Sequence, residues 1–168
     1  MIDVMLDAVY AEILGDEDHQ PAGWRERQER VARDNWSLYL RHPWMLHVAT
    51  VRPVLGPNLT AKYDRELRAV DGIGLSDVEM DLVVTLVTDY VRGAVRGAVE
   101  ATEAERRSGV TVEEWWAEFG PLLARVRAQP PPLAASVGAV AGAEYGAAGW
   151  FRRRRLVEGA RGILQSNG

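Results

Sequence analysis

The sequence has no cysteine among its 168 residues. That excludes a disulfide framework, a thiolate metal site and a cysteine nucleophile, and it fits a cytoplasmic protein. A basic surplus is missing too: 20 Lys and Arg against 24 Asp and Glu leave a formal net charge of −4, whereas chains that bind nucleic acid by themselves are usually strongly basic. No long apolar run occurs. The most apolar stretch, 82–99, is broken by Thr85, Thr88, Asp89, Arg92 and Arg96, while a membrane span needs roughly 20 mostly apolar residues. That stretch reads as a buried helix, and no membrane partner is expected. Residues 1–9 include Asp3 and Asp7 and lack a basic start before an apolar run, so no secretion signal is visible. The three histidines, His19, His42 and His47, have no ligand-like spacing, and no G-x-S-x-G, phosphate loop or H-E-x-x-H is present. No catalysis, cofactor or metal site is expected.

What is present is the composition of one globular domain, 47% apolar and 26% charged, long enough to bury a core. Apolar residues recur at helical spacing along the chain and no run alternates as a strand would, so the fold class is all-α, a helical bundle. Val4, Met5, Ala8, Val9, Ala11, Ile13 and Leu14 predict a first helix stopping at Gly15. After a polar loop at 15–23, a second helix is expected over 24–42, its early part (Arg25 to Arg30) solvated. Pro43 disfavours helix at His42 and suits a helix start, so 43–51 reads as a short separate helix. A turn at 52–57 precedes a helix over 59–70 through Leu59, Tyr63, Leu67 and Val70, ended by Gly72 and Gly74.

Ser76-Asp77-Val78-Glu79 is a capping box that opens a long central helix to about Arg107. Gly93, Ala94, Gly97, Ala98 and Ala101 lie along one side of that helix, which reads as tight helix packing. Thr111-Val112-Glu113-Glu114 is a second box, opening a helix through Val126 that Pro121 is expected to kink or split. Pro130-Pro131-Pro132 ends helical structure, 129–149 reads as a flexible connector, and Trp150, Leu156, Val157, Ala160, Ile163 and Leu164 mark a last helix over 150–165. Four consecutive arginines at 152–155 point in all directions on a helix, so they read as a solvated face or as partners of Glu113, Glu114 or Glu118.

Several local patterns, in this order, resemble the body of tetracycline-repressor-type (TetR family) transcription regulators. Met5 to Leu14 is similar to the helix connecting the DNA-binding head to the body. Asn35-Trp36-Ser37-Leu38-Tyr39-Leu40-Arg41-His42-Pro43-Trp44 resembles the family's W-x-x-x-L-R segment continued by His-Pro-Trp, and Gly56-Pro57-Asn58 its following turn. Gly74-Leu75-Ser76 with Tyr90-Val91-Arg92-Gly93-Ala94-Val95 resembles the central helix, and Gly149 to Gly159 the terminal segment, where Arg152 to Arg155 depart from the usual residues. The resemblance implies a ligand-binding and dimerisation domain that starts at the connecting helix, hence a truncated regulator or a headless relative, with no DNA binding by this chain alone.

In the tetracycline-binding members a histidine holds the drug's magnesium; its position falls on Val54 here. Other drug-contacting positions fall on Asp18, Pro43, His47 and Gly97 and also depart, so neither the metal nor tetracycline is implied. A pocket among the middle helices is implied, and the residues there that combine apolar walls with polar groups are Trp44, His47, Val48, Tyr63, Leu67, Val84, Thr88 and Tyr90. Each is also a plausible core residue. The expected partner is an apolar or amphipathic small-molecule effector. Homodimerisation is expected through two C-terminal helices, with Trp115, Phe119, Leu122, Leu156, Val157, Ala160, Ile163 and Leu164 at the interface. A headless protein that pairs with and antagonises a full-length relative is the alternative.

Overall fold

The computed structural model describes residues 2–15, 23–48 and 56–126, with 133, 136, 137 and 140. Apart from those four positions, the connector and the last helix fall outside the described residues, as do Asp18 and Val54. All regular structure among the described residues is helical: α1 (Ile2–Tyr10), α2 (Trp24–Arg41), α3 (Pro57–Arg68), α4 (Asp77–Ser108) and α5 (Val112–Val126), with 3-10 turns at Ala11–Ile13 and Pro43–His47. They divide into two compact units inside α4, after Arg96.

In the first unit, α1 buries Leu6 and Tyr10, and the following 3-10 turn buries Ile13, giving one face spaced by four and three residues. The last turn tightens into 3-10 rather than running as α-helix to Leu14, with the Leu14 N–H bonded to the Ala11 carbonyl at 3.2 Å. α2 buries Gln28, Val31, Ala32, Asn35, Trp36, Leu38 and Tyr39. Its early part is therefore less solvated than the run of polar residues implies. Gln28 shares the inward face with Val31, Ala32 and Asn35, and the Arg27 guanidinium donates to the Ala69 and Asp71 carbonyls at 3.2 and 3.3 Å.

His42 leaves helical geometry (φ −125, ψ 63) before Pro43, as a residue preceding proline must. The described part of the short segment that follows is 3-10, not α, and Arg96 of α4 donates to its Leu46 carbonyl. α3 starts with Pro57 at its first position, where the missing N–H costs nothing. Its cap comes from another helix. Asp7 of α1 accepts the Leu59 N–H at 2.9 Å and the Asn58 side-chain amide at 3.0 Å. Gly56 makes room for this, because a Cβ there would collide with the Asp7 carboxylate.

Of the expected Leu59, Tyr63, Leu67 and Val70 stripe, Val70 alone is fully buried. Lys62 and Glu66 are buried, with Ala69 and Val70 beyond them, whereas Leu59 and Leu67 are half-buried and Tyr63 is exposed. The chain turns out of α3 through Gly72 and Gly74, at φ 75 and 90, a region open to glycine. Ser76 then caps α4: its N–H and hydroxyl both donate to Glu79 Oε2 at 2.8 Å, which holds the Glu79 carboxyl below the usual carboxylate range. α4 turns Val84, Val91 and Val95 inward, with Thr88 between them in the same row. On other faces Val78, Leu82, Leu86 and Tyr90 are exposed at four-residue spacing. A Cβ at Gly93 would meet nothing within 4 Å, so that glycine serves no helix contact among the described residues.

The second unit holds the end of α4 and α5. Gly109, at φ 69, follows α4, and Thr111 caps α5 by donating its N–H and hydroxyl to Glu114 at 2.8 and 2.9 Å. These bonds hold the Glu114 carboxyl low in the same way. Helical structure continues through Pro121, which does not split α5. Trp115 stacks on Phe119 with ring centroids 5.0 Å apart, and Trp115 and Leu122 remain exposed.

Candidate functional site

The inward faces of α1, α2 and α3 bring an ionic group into the core of the first unit. The Lys62 ammonium lies 2.6 Å from Glu66 Oε1 with both residues 4% exposed. Asn35 of α2 donates to the same carboxylate oxygen at 2.7 Å and to the Val31 carbonyl at 3.0 Å. The ammonium also stands over the Tyr10 ring of α1, 5.6 Å from its centroid, within the range of a cation–π contact. The four residues thus join three helices.

The hydroxyls of Tyr10 and Tyr39 are buried beside this group. Burial raises the pKa of Tyr10; the positive charge of Arg92 opposes that rise, Glu66 adds to it, and a hydrogen bond to Tyr39 lowers it. Tyr39 is pushed up as well, first by burial and then by Tyr10. Both phenols stay neutral and act as hydrogen-bonding groups through the physiological range. Arg92 brings α4 to the same neighbourhood.

Four further polar atoms in this unit are buried with no hydrogen-bond partner: both carboxamide atoms of Gln28, Oδ1 of Asn35 and Oγ1 of Thr88. An unsatisfied buried polar group costs about 1–3 kcal/mol. Interiors rarely tolerate this without a role.

A second, solvent-open feature is a cleft of about 410 Å³ between the end of the first helix and α2, lined by Glu12, Ile13 and Gly15 on one side and Arg30, Asp34, Ser37 and Arg41 on the other, with Arg65 of α3. Its charges are tied to each other. Arg65 pairs with Asp34 at 2.6 Å and donates to the Ile13 carbonyl, while Glu12 meets Arg41 at 3.4 Å and His42 at 2.8 Å. Such walls do not suit an apolar effector. The Arg65 contact instead ties α3 to the C-terminal end of the α1 segment.

Of the expected pocket residues, Val84 is buried and Thr88 lies in the same inward row of α4. Trp44, Val48 and Leu67 are half-buried. His47, Tyr63 and Tyr90 are exposed, and the Tyr63 hydroxyl donates to Asp81 at 2.5 Å. Gln28 escaped sequence reasoning because 25–30 reads as solvated, and Asn35, Lys62 and Glu66 because apolar spacing marks no polar residue as buried. The signal was available in the inward spacing of Gln28, Val31, Asn35 and Tyr39, and in Lys62 and Glu66 standing one turn apart. No cluster of potential metal ligands exists among the described residues, and none of their helices is long and apolar enough to cross a membrane.

The described residues form an all-helical body with an ionic group in the core of its first unit and an N-terminal helix whose Asp7 caps α3. The family model of the tetracyclin repressor-like, C-terminal domain matches residues 17–146. The chain is 38% identical over 128 residues to the HTH-type transcriptional repressor DrrR1 of Streptomyces coeruleorubidus, an alignment covering 76% of this chain and 47% of the relative. It is 28% identical over 95 residues to an HTH-type transcriptional regulator of Saccharopolyspora erythraea, covering 56% of this chain and 40% of that one. The chain belongs to the tetracyclin repressor-like C-terminal domain family. It spans less than half the length of these relatives.

The buried pair carries a direct prediction. Lys62→Met should destabilise the fold by about 3–5 kcal/mol, since it strands a buried carboxylate, and Lys62→Met with Glu66→Leu should recover most of that loss. Urea unfolding checks it: a single variant as stable as the parent would show that the pair is solvated.

Proposed function

We propose that this chain is the effector-sensing and dimerisation body of a TetR-type regulator that represses transcription, in which a small molecule held in the helical core displaces α1 and so the DNA-binding heads of the intact protein. One observation carries the reading: α1 and the 3-10 turn that follows it are fastened to α3 by polar contacts at Asp7 and at Ile13. Asp7 of α1 caps the N-terminus of α3, and Arg65, further along α3, grips the Ile13 carbonyl of the turn after α1. A ligand that shifts α3 must therefore shift α1 with it, and any effect on DNA follows from its preference for one arrangement. Val84 and Thr88 form the inner wall of the proposed site, with Trp44, Val48 and Leu67 at its margin. His47, Tyr63 and Tyr90 are left outside. The 38% identical relative is a transcriptional repressor, which supports the sign of regulation.

The test is a thermal-shift screen of the purified chain against a chemically broad set of small molecules, since a ligand bound by the folded state alone raises its melting temperature. Saturable binders whose shift is reduced by Thr88→Val are expected. A screen without any saturable binder would contradict effector sensing and leave the headless, heterodimerising protein as the better account.

Dimerisation draws on a specific observation. Val78, Leu82, Leu86 and Tyr90 are 78%, 54%, 59% and 48% exposed on α4, an apolar row of the kind that monomers rarely leave uncovered. Gly93 continues it with open space for a close neighbour. A two-fold pairing of like surfaces covers such a row most simply. The α4 row is therefore proposed as a dimer contact of the first unit, separate from the expected Trp115, Phe119 and Leu122 of α5 and the residues of the terminal helix. Sedimentation equilibrium at tens of micromolar should show a dimer that Leu82→Asp with Leu86→Asp converts to monomer. A dimer indifferent to that pair of changes would exclude α4 from the interface.

A further inference from the structure

The open cleft beside α2, about 410 Å³ in volume, is large enough for a small metabolite, since ligand sites begin near about 300 Å³. One wall is a single stripe of α2. Arg30, Asp34, Ser37 and Arg41 follow one another at intervals of four, three and four residues, so they share one face over about 16 Å. The facing wall is the turn after α1, with Glu12 and Ile13, and Arg65 of α3 completes the lining. Three arginines against the carboxylates of Glu12 and Asp34 leave one surplus positive charge. The ion pairs in the cleft are not equally firm. Arg65 lies 2.6 Å from Asp34, with the two side chains 21% and 32% exposed, and also donates to the Ile13 carbonyl. Arg41 meets Glu12 only at 3.4 Å with its side chain 55% exposed, and Glu12 keeps a second partner in His42 at 2.8 Å. An exposed pair of that kind contributes little, so the Arg41 guanidinium is able to turn to another anion without stranding Glu12. Ser37 stands one turn before Arg41 on the same stripe, where its hydroxyl can donate to the same anion.

We propose that this cleft binds a small hydroxylated monocarboxylate, its carboxylate held by Arg41 and Ser37 and its hydroxyls by Asp34 and Glu12. The planar guanidinium fork matches a carboxylate in two parallel bonds, and the surplus charge of the lining is balanced by one carboxylate. A dianionic phosphate would reverse that balance. The ionised side chains of Glu12 and Asp34 can only accept, so the remainder of the ligand must bring donors to them. A hydrocarbon body would take water from these charges and return nothing. The site is separate from the helical core, so it neither rests on the effector-sensing reading nor replaces the core ligand. Its occupant touches the turn after α1 on one side and α2 on the other, beside the Arg65 contact with Ile13.

Gluconate and sorbitol share a polyol chain and differ in the carboxylate, while inorganic phosphate presents the other common oxyanion. Each is titrated into the whole chain at constant ionic strength and followed through the Gly15 and Ser37 amide resonances and the Arg41 side-chain resonance. The same titrations are run on Arg41→Gln and Ser37→Ala, whose melting temperatures are expected to match the parent's. Gluconate should give saturable shifts at millimolar concentration and sorbitol none. Arg41→Gln should weaken gluconate binding about tenfold, as the loss of a charge-assisted fork implies, and Ser37→Ala a few-fold. Gluconate without saturable shifts overturns the proposal, as does an equal response to sorbitol. An affinity for gluconate unchanged in Arg41→Gln overturns it too. Phosphate held more tightly than gluconate by the same residues would overturn the assignment to a carboxylate.

Discussion

An ammonium and a carboxylate 2.6 Å apart in the middle of the bundle constrain the first unit of this protein. Lys62 and Glu66 are only tolerable there because every helix around them contributes. Asn35 supplies a second donor to the carboxylate, and the Tyr10 ring receives the ammonium on its face. Removal of water from two charges is expensive, and only good geometry with further hydrogen bonds offsets it. The arrangement of α1, α2 and α3 about one another is consequently over-determined, because a shift of any of them exposes a charge to an apolar neighbour. A hydrophobic core alone would allow more sliding.

That constraint gives the N-terminal helix its place in a signalling account. α1 does not adhere to the body by Leu6, Tyr10 and Ile13 alone. Its Asp7 serves as the missing cap of α3, a role the N-terminal residue Gly56 cannot fill, having no side chain to accept a bond. Arg65 closes the other end by gripping Ile13 while it pairs with Asp34 of α2. Polar contacts of this kind are directional and short-ranged, so α1 is expected to follow α3 as a lever. The unpartnered amide of Gln28 and the carbonyl of Asn35 lie on the α2 face that packs into the same core.

The fold class and the helix boundaries were largely legible in the sequence, since caps and breakers act locally. Ser76 with Glu79, Thr111 with Glu114, Pro43 and the Gly72 and Gly74 turn all behave as their chemistry dictates. The 3-10 geometry at Ala11–Ile13 and Pro43–His47 was not legible, because short apolar runs carry no mark of how tightly they wind. The face of α3 was misread for a sharper reason. Apolar periodicity points Leu59, Tyr63 and Leu67 inward, yet the buried positions are Lys62 and Glu66, whose cost is met by partners from α1 and α2 that no local pattern announces. Burial shows the same blindness: the inward row of Val84 and Thr88 follows from their spacing along α4, while Gln28 lies in the stretch 25–30 that reads as solvated and Asn35 carries no local mark of burial.

Native-state hydrogen exchange under increasing urea tests the coupling of α1 to α3 most directly. The account predicts that the Leu6 and Tyr10 amides of α1 open with the same free energy and the same urea dependence as the Lys62 and Glu66 amides of α3, as one cooperative unit. It also predicts that Asp7→Ala separates the two sets, with α1 opening first. If α1 in the unaltered protein exchanges through its own low-energy opening, independent of α3, the two helices are not mechanically joined, and the route from the core to the N-terminal helix proposed here is wrong.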